Sequence, residues 1–127
     1  MKLIEYSVAI TTTGVAGSAT GSGTLAISKQ GFLEYLYFDY DATAPATTDV
    51  TVSYPNVPPG GNVLAAANTV TDALKFPRAT CVDNANAAIT NSFTKFPVRG
   101  GLSVDVAQCD ALAPAVTVYA GVMVDDD

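Results

Sequence analysis

Nine consecutive residues, Phe32-Leu-Glu-Tyr-Leu-Tyr-Phe-Asp-Tyr40, restrict this chain more than any other stretch. In extended conformation Phe32, Glu34, Leu36, Phe38 and Tyr40 point one way, and Leu33, Tyr35, Tyr37 and Asp39 point the other. Both faces are largely apolar, so the pattern predicts a strand that needs cover on two sides. The concentration of tyrosine and phenylalanine favours strand over helix. Gly31 marks the entry and Asp41-Ala-Thr-Ala-Pro45 the exit. The segment is expected to be the central strand of a β-sandwich and to carry the largest aromatic burial in the chain.

The flanking sequence repeats the same period-two signal. Ile4–Thr12 alternates Ile4, Tyr6, Val8 and Ile10 against small or polar residues, which predicts a half-exposed strand. Gly14–Gly23, rich in glycine and small residues, reads as a mobile surface loop. Thr24–Ser28 is then a short strand joined to the central one as a hairpin. Asp49–Tyr54 alternates cleanly, and the prolines and glycines from Pro55 to Gly61 predict a rigid turn. Val63–Ala67 reads as a strand, although Val63, Ala66, Val70 and Leu74 also fall at helical spacing, and helix stays open for 63–74. An extended piece to Val82 follows, then turn chemistry at Asp83-Asn-Ala-Asn86. Strands are expected at Asn91–Val98, Leu102–Ala107 and Ala115–Val124. Elements that begin about every 8 to 15 residues indicate an all-β, single-domain β-sandwich of the jelly-roll kind, with about eight strands over residues 1–127.

The composition narrows the function classes. Twelve carboxylates against six basic residues give a net charge of −6, and no Lys/Arg cluster offers a grip on phosphate backbones, so nucleic acid is not an expected partner. Only 14% of residues are charged, a low value that points to surface covered by partners. No apolar run approaches the ~20 residues of a membrane helix, and Met1–Glu5 runs directly into strand pattern, so neither a membrane nor a leader is expected. Cys81 and Cys109 allow one bridge or two packed thiols; the cytosolic synthesis expected without a leader favours the thiols. The terminal Asp125–Asp127 reads as a solvated tail.

Candidate chemistry is sparse. Histidine is absent, which removes triads, imidazole bases and most zinc sites. Gly21-Ser-Gly-Thr-Leu-Ala26 satisfies G-x-G-x-x-A formally, but no helix fits before Gly31 to make a dinucleotide site. Asp39 and Asp41 could share a face as a carboxylate pair, and edge solubility is the plainer reading. Tyr35, Tyr37, Phe38 and Tyr40 could form a sugar- or peptide-binding face, with core packing the plainer reading. No catalytic, cofactor or metal site is expected, and no enzyme.

From Tyr40 to Gln108 the chain resembles a known group. Tyr40-Asp-Ala-Thr-Ala-Pro-Ala-Thr-Thr-Asp-Val-Thr51, Lys75-Phe-Pro-Arg78, Val82-Asp-Asn-Ala85 and Phe96-Pro-Val98 stand in this order ahead of an alternating Leu-Ser-Val-Asp-Val-Ala-Gln108 strand. Together they look like small virion proteins of tailed bacteriophages, similar to capsid decoration, or cement, proteins. The resemblance implies a β-sandwich or jelly-roll protein on the outer surface of the phage head. It would bridge major capsid protein subunits as a homotrimer, without cofactors. A head–tail connector or tail structural protein is the alternative within virions, and a carbohydrate-binding β-sandwich module the alternative outside them. The segments expected to order on docking, and so to form the capsid or subunit interface, are the amino terminus (Met1, Lys2, Leu3, Ile4, Tyr6) and the glycine-rich stretch (Val15, Ser18, Thr20).

Overall fold

The computed structural model describes residues 1–55 and 61–124; the turn around Pro58-Pro59-Gly60 and the Asp125–Asp127 tail expected above lie outside them. The described residues form eleven strands: β1 (Lys2–Ile10), β2 (Ala19–Leu25), β3 (Gly31–Tyr40), β4 (Asp49–Ser53), β5 (Asn62–Ala66), β6 (Ala73–Lys75), β7 (Arg78–Val82), β8 (Ala88–Lys95), β9 (Pro97–Val98), β10 (Leu102–Cys109) and β11 (Val116–Val124). One sheet runs β1-β11-β3-β6, with β9 also on β3; the second runs β2-β10-β4-β5; β7 and β8 pair only with each other. Every pairing is antiparallel. Consecutive strands cross from one sheet to the other except at β4–β5 and around β7–β9. That order is the jelly-roll arrangement expected from the strand spacing.

The core lies between the two sheets. Val116, Val118, Ala120, Val122 and Val124 of β11 are all buried and face Val50, Val52, Leu102, Val104 and Val106 of the second sheet in one apolar cluster. β11 is paired on both edges, with β1 and with β3, which suits the valines that recur along its buried face.

β3 departs from strict alternation. Leu33 pairs with Val122 and Tyr35 with Gly121, so Glu34 is an extra residue without a partner on β11. A bulge of this kind reverses the phase of a strand. Leu33 therefore joins Leu36, Phe38 and Tyr40 in the core, while Phe32 turns outward and is 49% exposed. The uniform alternation expected from the sequence, with Phe32 on the face of Leu36 and Phe38 and Leu33 on the face of Tyr35 and Tyr37, fails at this one residue. The expected two-sided cover fails with it. One face of β3 meets the core, and the other, carrying Tyr35, Tyr37 and Asp39, stays partly open.

The glycine-rich stretch is also corrected. Val15–Ser18 is an exposed turn, but Ala19–Leu25 is β2, seven residues long and paired with β10. β2 and β3 lie in different sheets rather than forming a hairpin, and Ile27, 1% exposed, plugs the crossing between them. The glycines are required by close approach. A Cβ on Gly21 would stand 2.3 Å from the Thr11 carbonyl oxygen, and one on Gly23 2.7 Å from Ile10 Cδ1. β1 thus crosses β2 nearly in backbone contact and seals this side of the sandwich. No helix forms over 63–74. Its alanines build β5, where Val50–Ser53 supply partners. The expected strand over Asn91–Val98 divides into β8 and β9, and β8 begins earlier, at Ala88.

The bulge makes opposite demands on neighbouring residues. Leu33→Ala is expected to cost about 2–5 kcal/mol, the range for an aliphatic side chain deleted from a packed core. Phe32→Ala should stay within about 1 kcal/mol because its ring already meets water. Urea unfolding of the two variants measures the difference; a larger loss for Phe32→Ala than for Leu33→Ala would mean that the strand keeps strict alternation.

Candidate functional site

β6 and β9 are two halves of one edge strand. β6 pairs Ala73–Lys75 with Phe38–Leu36, and β9 pairs Pro97–Val98 with Phe32–Gly31, both running in the same direction along β3. Between them the chain leaves the sheet as the β7–β8 hairpin and returns at Phe96, whose carbonyl accepts the Leu33 N–H at 2.8 Å. The hairpin departs opposite Glu34. Turned out of the ladder by the bulge, Glu34 binds both strands at their root. Its carboxylate pairs with Arg78 at 3.6 Å and is hydrogen-bonded by the Lys95 ammonium, while its backbone carbonyl accepts from the Arg78 guanidinium at 3.1 Å. Charge-assisted bonds at one half-exposed carboxylate thus fix where the hairpin leaves the body.

The tip follows from Asx chemistry. The Asp83 carboxylate accepts the N–H groups of Ala85 and Ala87 at 2.8 and 3.0 Å, and Asn86 takes a φ of 63°, a conformation asparagine tolerates. Beyond its root the hairpin has almost no cover. Seven of the eight β8 residues are exposed. Among the nine large apolar side chains exposed in the described residues, Leu74, Phe76, Val82, Ile89 and Phe93 lie on the hairpin or beside its root. A two-stranded ribbon is marginal alone in water, and this one carries apolar groups that a solvated loop would not need.

A cleft lies on the same side of the molecule, between β5 and β6, where the two sheets are not drawn together. Its volume is about 440 Å³, lined by Phe38, Tyr40, Leu64, the alanines 65–67, Thr69, Thr71, Ala73 and Lys75. The Tyr40 hydroxyl is buried with no hydrogen-bond partner among the described residues, an uncommon condition for a phenol. Burial, reinforced by the nearby Asp72 carboxylate, pushes its pKa up to about 12.

The residues singled out from the sequence fall elsewhere. Met1, Leu3 and Val15 are exposed, Lys2 lies on β1, and Ile4 and Tyr6 are half-buried against the core. The first six residues were expected to lack order alone, yet Lys2–Ile10 pairs with β11 along its full length. Ser18 closes the Val15 turn, and Thr20 exchanges backbone bonds with Thr13 at 2.9 and 3.0 Å. The two groups sit at opposite ends of β1, roughly 25 Å apart at ~3.3 Å per residue, and make no single site. The extended piece to Val82, the Asx turn and the strand after it were read from the sequence; what was missed is that they form a separate hairpin with Ile89 and Phe93 exposed among polar neighbours. Tyr35 and Tyr37 separate from Phe38 and Tyr40, which are buried. Asp39 is exposed on the strand, whereas Asp41 caps a turn by accepting from Thr43, whose hydrogen bonds hold the Asp41 carboxyl below the usual range. Both cysteines are free thiols, Cys109 buried and Cys81 half-buried in the hairpin. Among the described residues no three acidic or cysteine side chains converge on a point where a metal could sit.

Comparison with protein-family models, with curated proteins and with solved structures finds no match to this chain.

Two outcomes follow. Glu34→Ala should release the hairpin root, raising amide exchange across residues 78–95 at least severalfold. The global melting temperature should move little, because exposed ion pairs contribute only ~0–1 kcal/mol; unchanged exchange would show that the root is held otherwise. Tyr40 has a folded pKa above its unfolded value of about 10, so its neutral form favours the fold. Its contribution is present below pH ~10 and lost as pH rises toward 12. Tyr40→Phe should therefore flatten the fall of the urea midpoint between pH 9.5 and 11.5, and at pH 7 leave stability equal or higher.

Proposed function

We propose that this protein is a structural component of a phage virion, a decoration or cement protein on the outer surface of the assembled head. The observation that carries the reading is the β7–β8 hairpin: a ribbon that exposes Val82, Ile89 and Phe93, rooted by Glu34 and otherwise with little cover. Such a ribbon is the kind of element that orders against a neighbouring subunit. The resemblance of the Tyr40–Gln108 stretch to small virion proteins supports the same reading. The jelly-roll topology is compatible with it, as with many other activities.

The physical basis is mass action. A ligand that binds only the expanded shell stabilises it by its own binding free energy at every site. Three such subunits joined as a trimer would engage neighbouring capsomers together and raise the effective affinity by linkage. The hairpin supplies the apolar contact. Its low charge suits a surface shared with like subunits, since charged groups are depleted at interface centres.

Purified protein added to emptied, expanded heads of the parent phage should bind to saturation and raise their melting temperature. An Ile89→Ser/Phe93→Ser double variant should lose at least tenfold in occupancy while its own melting temperature stays near wild type, because both side chains are exposed. Absence of any gain in occupancy or shell stability would remove the proposal; a six-fold ring in solution would move it from the head surface to the tail.

A further inference from the structure

The outward face of the β1-β11-β3-β6 sheet carries a feature that the hairpin does not use. Tyr35, Tyr37, Tyr119 and Leu74, flanked by Glu5 and Asp39, line a shallow depression of about 430 Å³, a size within the ~300–1,000 Å³ range of small-molecule sites. Its floor is built. At Gly121 a Cβ would stand 2.1 Å from Tyr35 Cε2 and 2.4 Å from Cζ, so the glycine is the space in which the Tyr35 ring lies. The ring crosses β11 there, and its hydroxyl donates to the Glu5 carboxylate on β1 at 2.6 Å. That bond, together with burial and the Glu5 charge, holds the Tyr35 phenol above its ordinary pKa. Beside it Tyr37 and Tyr119, paired across β3 and β11, have ring centroids 6.1 Å apart and planes inclined by 49°.

We infer that this face is a saccharide-binding platform, with Tyr37 and Tyr119 stacking on the apolar C–H faces of sugar rings and with Glu5 and Asp39 accepting hydrogen bonds from sugar hydroxyls. The lining chemistry selects the ligand. Two carboxylates and no basic side chain in the depression repel phosphates, sulfates and nucleic acid. A wholly apolar ligand would strip water from Glu5 and Asp39 without replacing it. A cation is bound best where several aromatic faces surround it, whereas these rings lie along one sheet face as a floor. A second copy packed face to face would bring four carboxylates together. A neutral carbohydrate has what remains: an apolar face for the rings and a rim of hydroxyl donors for the acids. The rings sit on rigid paired strands, and Tyr35 is already fixed, so little side-chain ordering opposes binding. This inference does not rest on the virion reading.

Native gels cast with soluble polysaccharides (dextran, glucomannan, and O-polysaccharide purified from bacterial lipopolysaccharide) test it. At least one should retard the wild-type protein. Oligosaccharides of that polymer should then change tyrosine emission, which no tryptophan obscures because the chain has none. Tyr37→Ala and Tyr119→Ala should each weaken binding about tenfold, as loss of an aromatic contact does, with melting temperatures near wild type. The Ile89→Ser/Phe93→Ser variant should bind as wild type does, which separates this site from the assembly surface. Saturation-transfer NMR from the tyrosine ring protons to the sugar provides a readout in the wild-type protein alone. Three results would overturn the inference: no retardation by any of the polymers, retardation unchanged in both tyrosine variants, or binding confined to polylysine and abolished by salt.

Discussion

Glu34 has no partner on β11, and that one extra residue decides the orientation of everything before and after it on β3. With it, Leu33 points into the core alongside Leu36, Phe38 and Tyr40, and Tyr35 and Tyr37 point away. Without it, Leu33 would stand on the outer face and Glu34 would face the apolar interior. Burying an ionised carboxylate there would cost several kcal/mol. The bulge instead delivers the carboxylate to the sheet edge, where Arg78 and Lys95 meet it. Core packing, the outer tyrosine face and the hairpin root therefore share a single backbone irregularity.

The two sides of the sandwich contrast in how they close. Where β1 crosses β2, Gly21 and Gly23 remove the side chains that would hold the sheets apart, and Ile10 fills the seam. On the opposite side β5 and β6 are short, and a cleft reaches Phe38 and Tyr40 between them. An edge strand interrupted by a hairpin cannot offer a long unpaired ladder, which limits edge-to-edge association. The sealed side needs nothing further, and the open side carries the exposed apolar side chains Leu74, Phe76, Ile89 and Phe93.

Much of the fold was legible in the sequence, because a period of two survives wherever a strand has one wet face. Asp49–Ser53, Leu102–Cys109 and Val116–Val124 all show it, and all are strands. Spacing between them implied a sandwich or jelly roll, and the topology follows that pattern. Three features were hidden for separate reasons. Glycines at 21 and 23 look like loop chemistry, since no sequence pattern records how closely another strand passes. The bulge at Glu34 changes phase inside a segment whose two faces are equally apolar, so hydrophobicity could not reveal it. The hairpin's strands and Asx turn were legible, but its lack of cover was not, because residues exposed on both faces leave no buried period to read. For the outer platform, Tyr35 and Tyr37 were visible as candidates, but Tyr119 and Glu5 arrive only through the pairing of β11 with β3 and with β1. Phe38 and Tyr40 belonged to the opposite face.

The hairpin and the tyrosine platform also differ in position, and this bears on how one small domain could use both. The hairpin is rooted at the edge of the sheet, in the gap between β6 and β9. The platform lies on the sheet's outer face. A subunit held through its edge keeps a face free, whereas one held through its face would cover the rings. Their chemistry is divided in the same way. The hairpin exposes Val82, Ile89 and Phe93, side chains that suit a dry protein contact. The platform keeps Glu5 and Asp39 at its rim, which suits a ligand that brings hydroxyl donors and retains water. Rigid pairing on β11 supports the second and a single ion-pair cluster at Glu34 supports the first. The hairpin is therefore tied to the body mainly through one residue, and the tyrosine face is held along the full pairing of β1, β11 and β3.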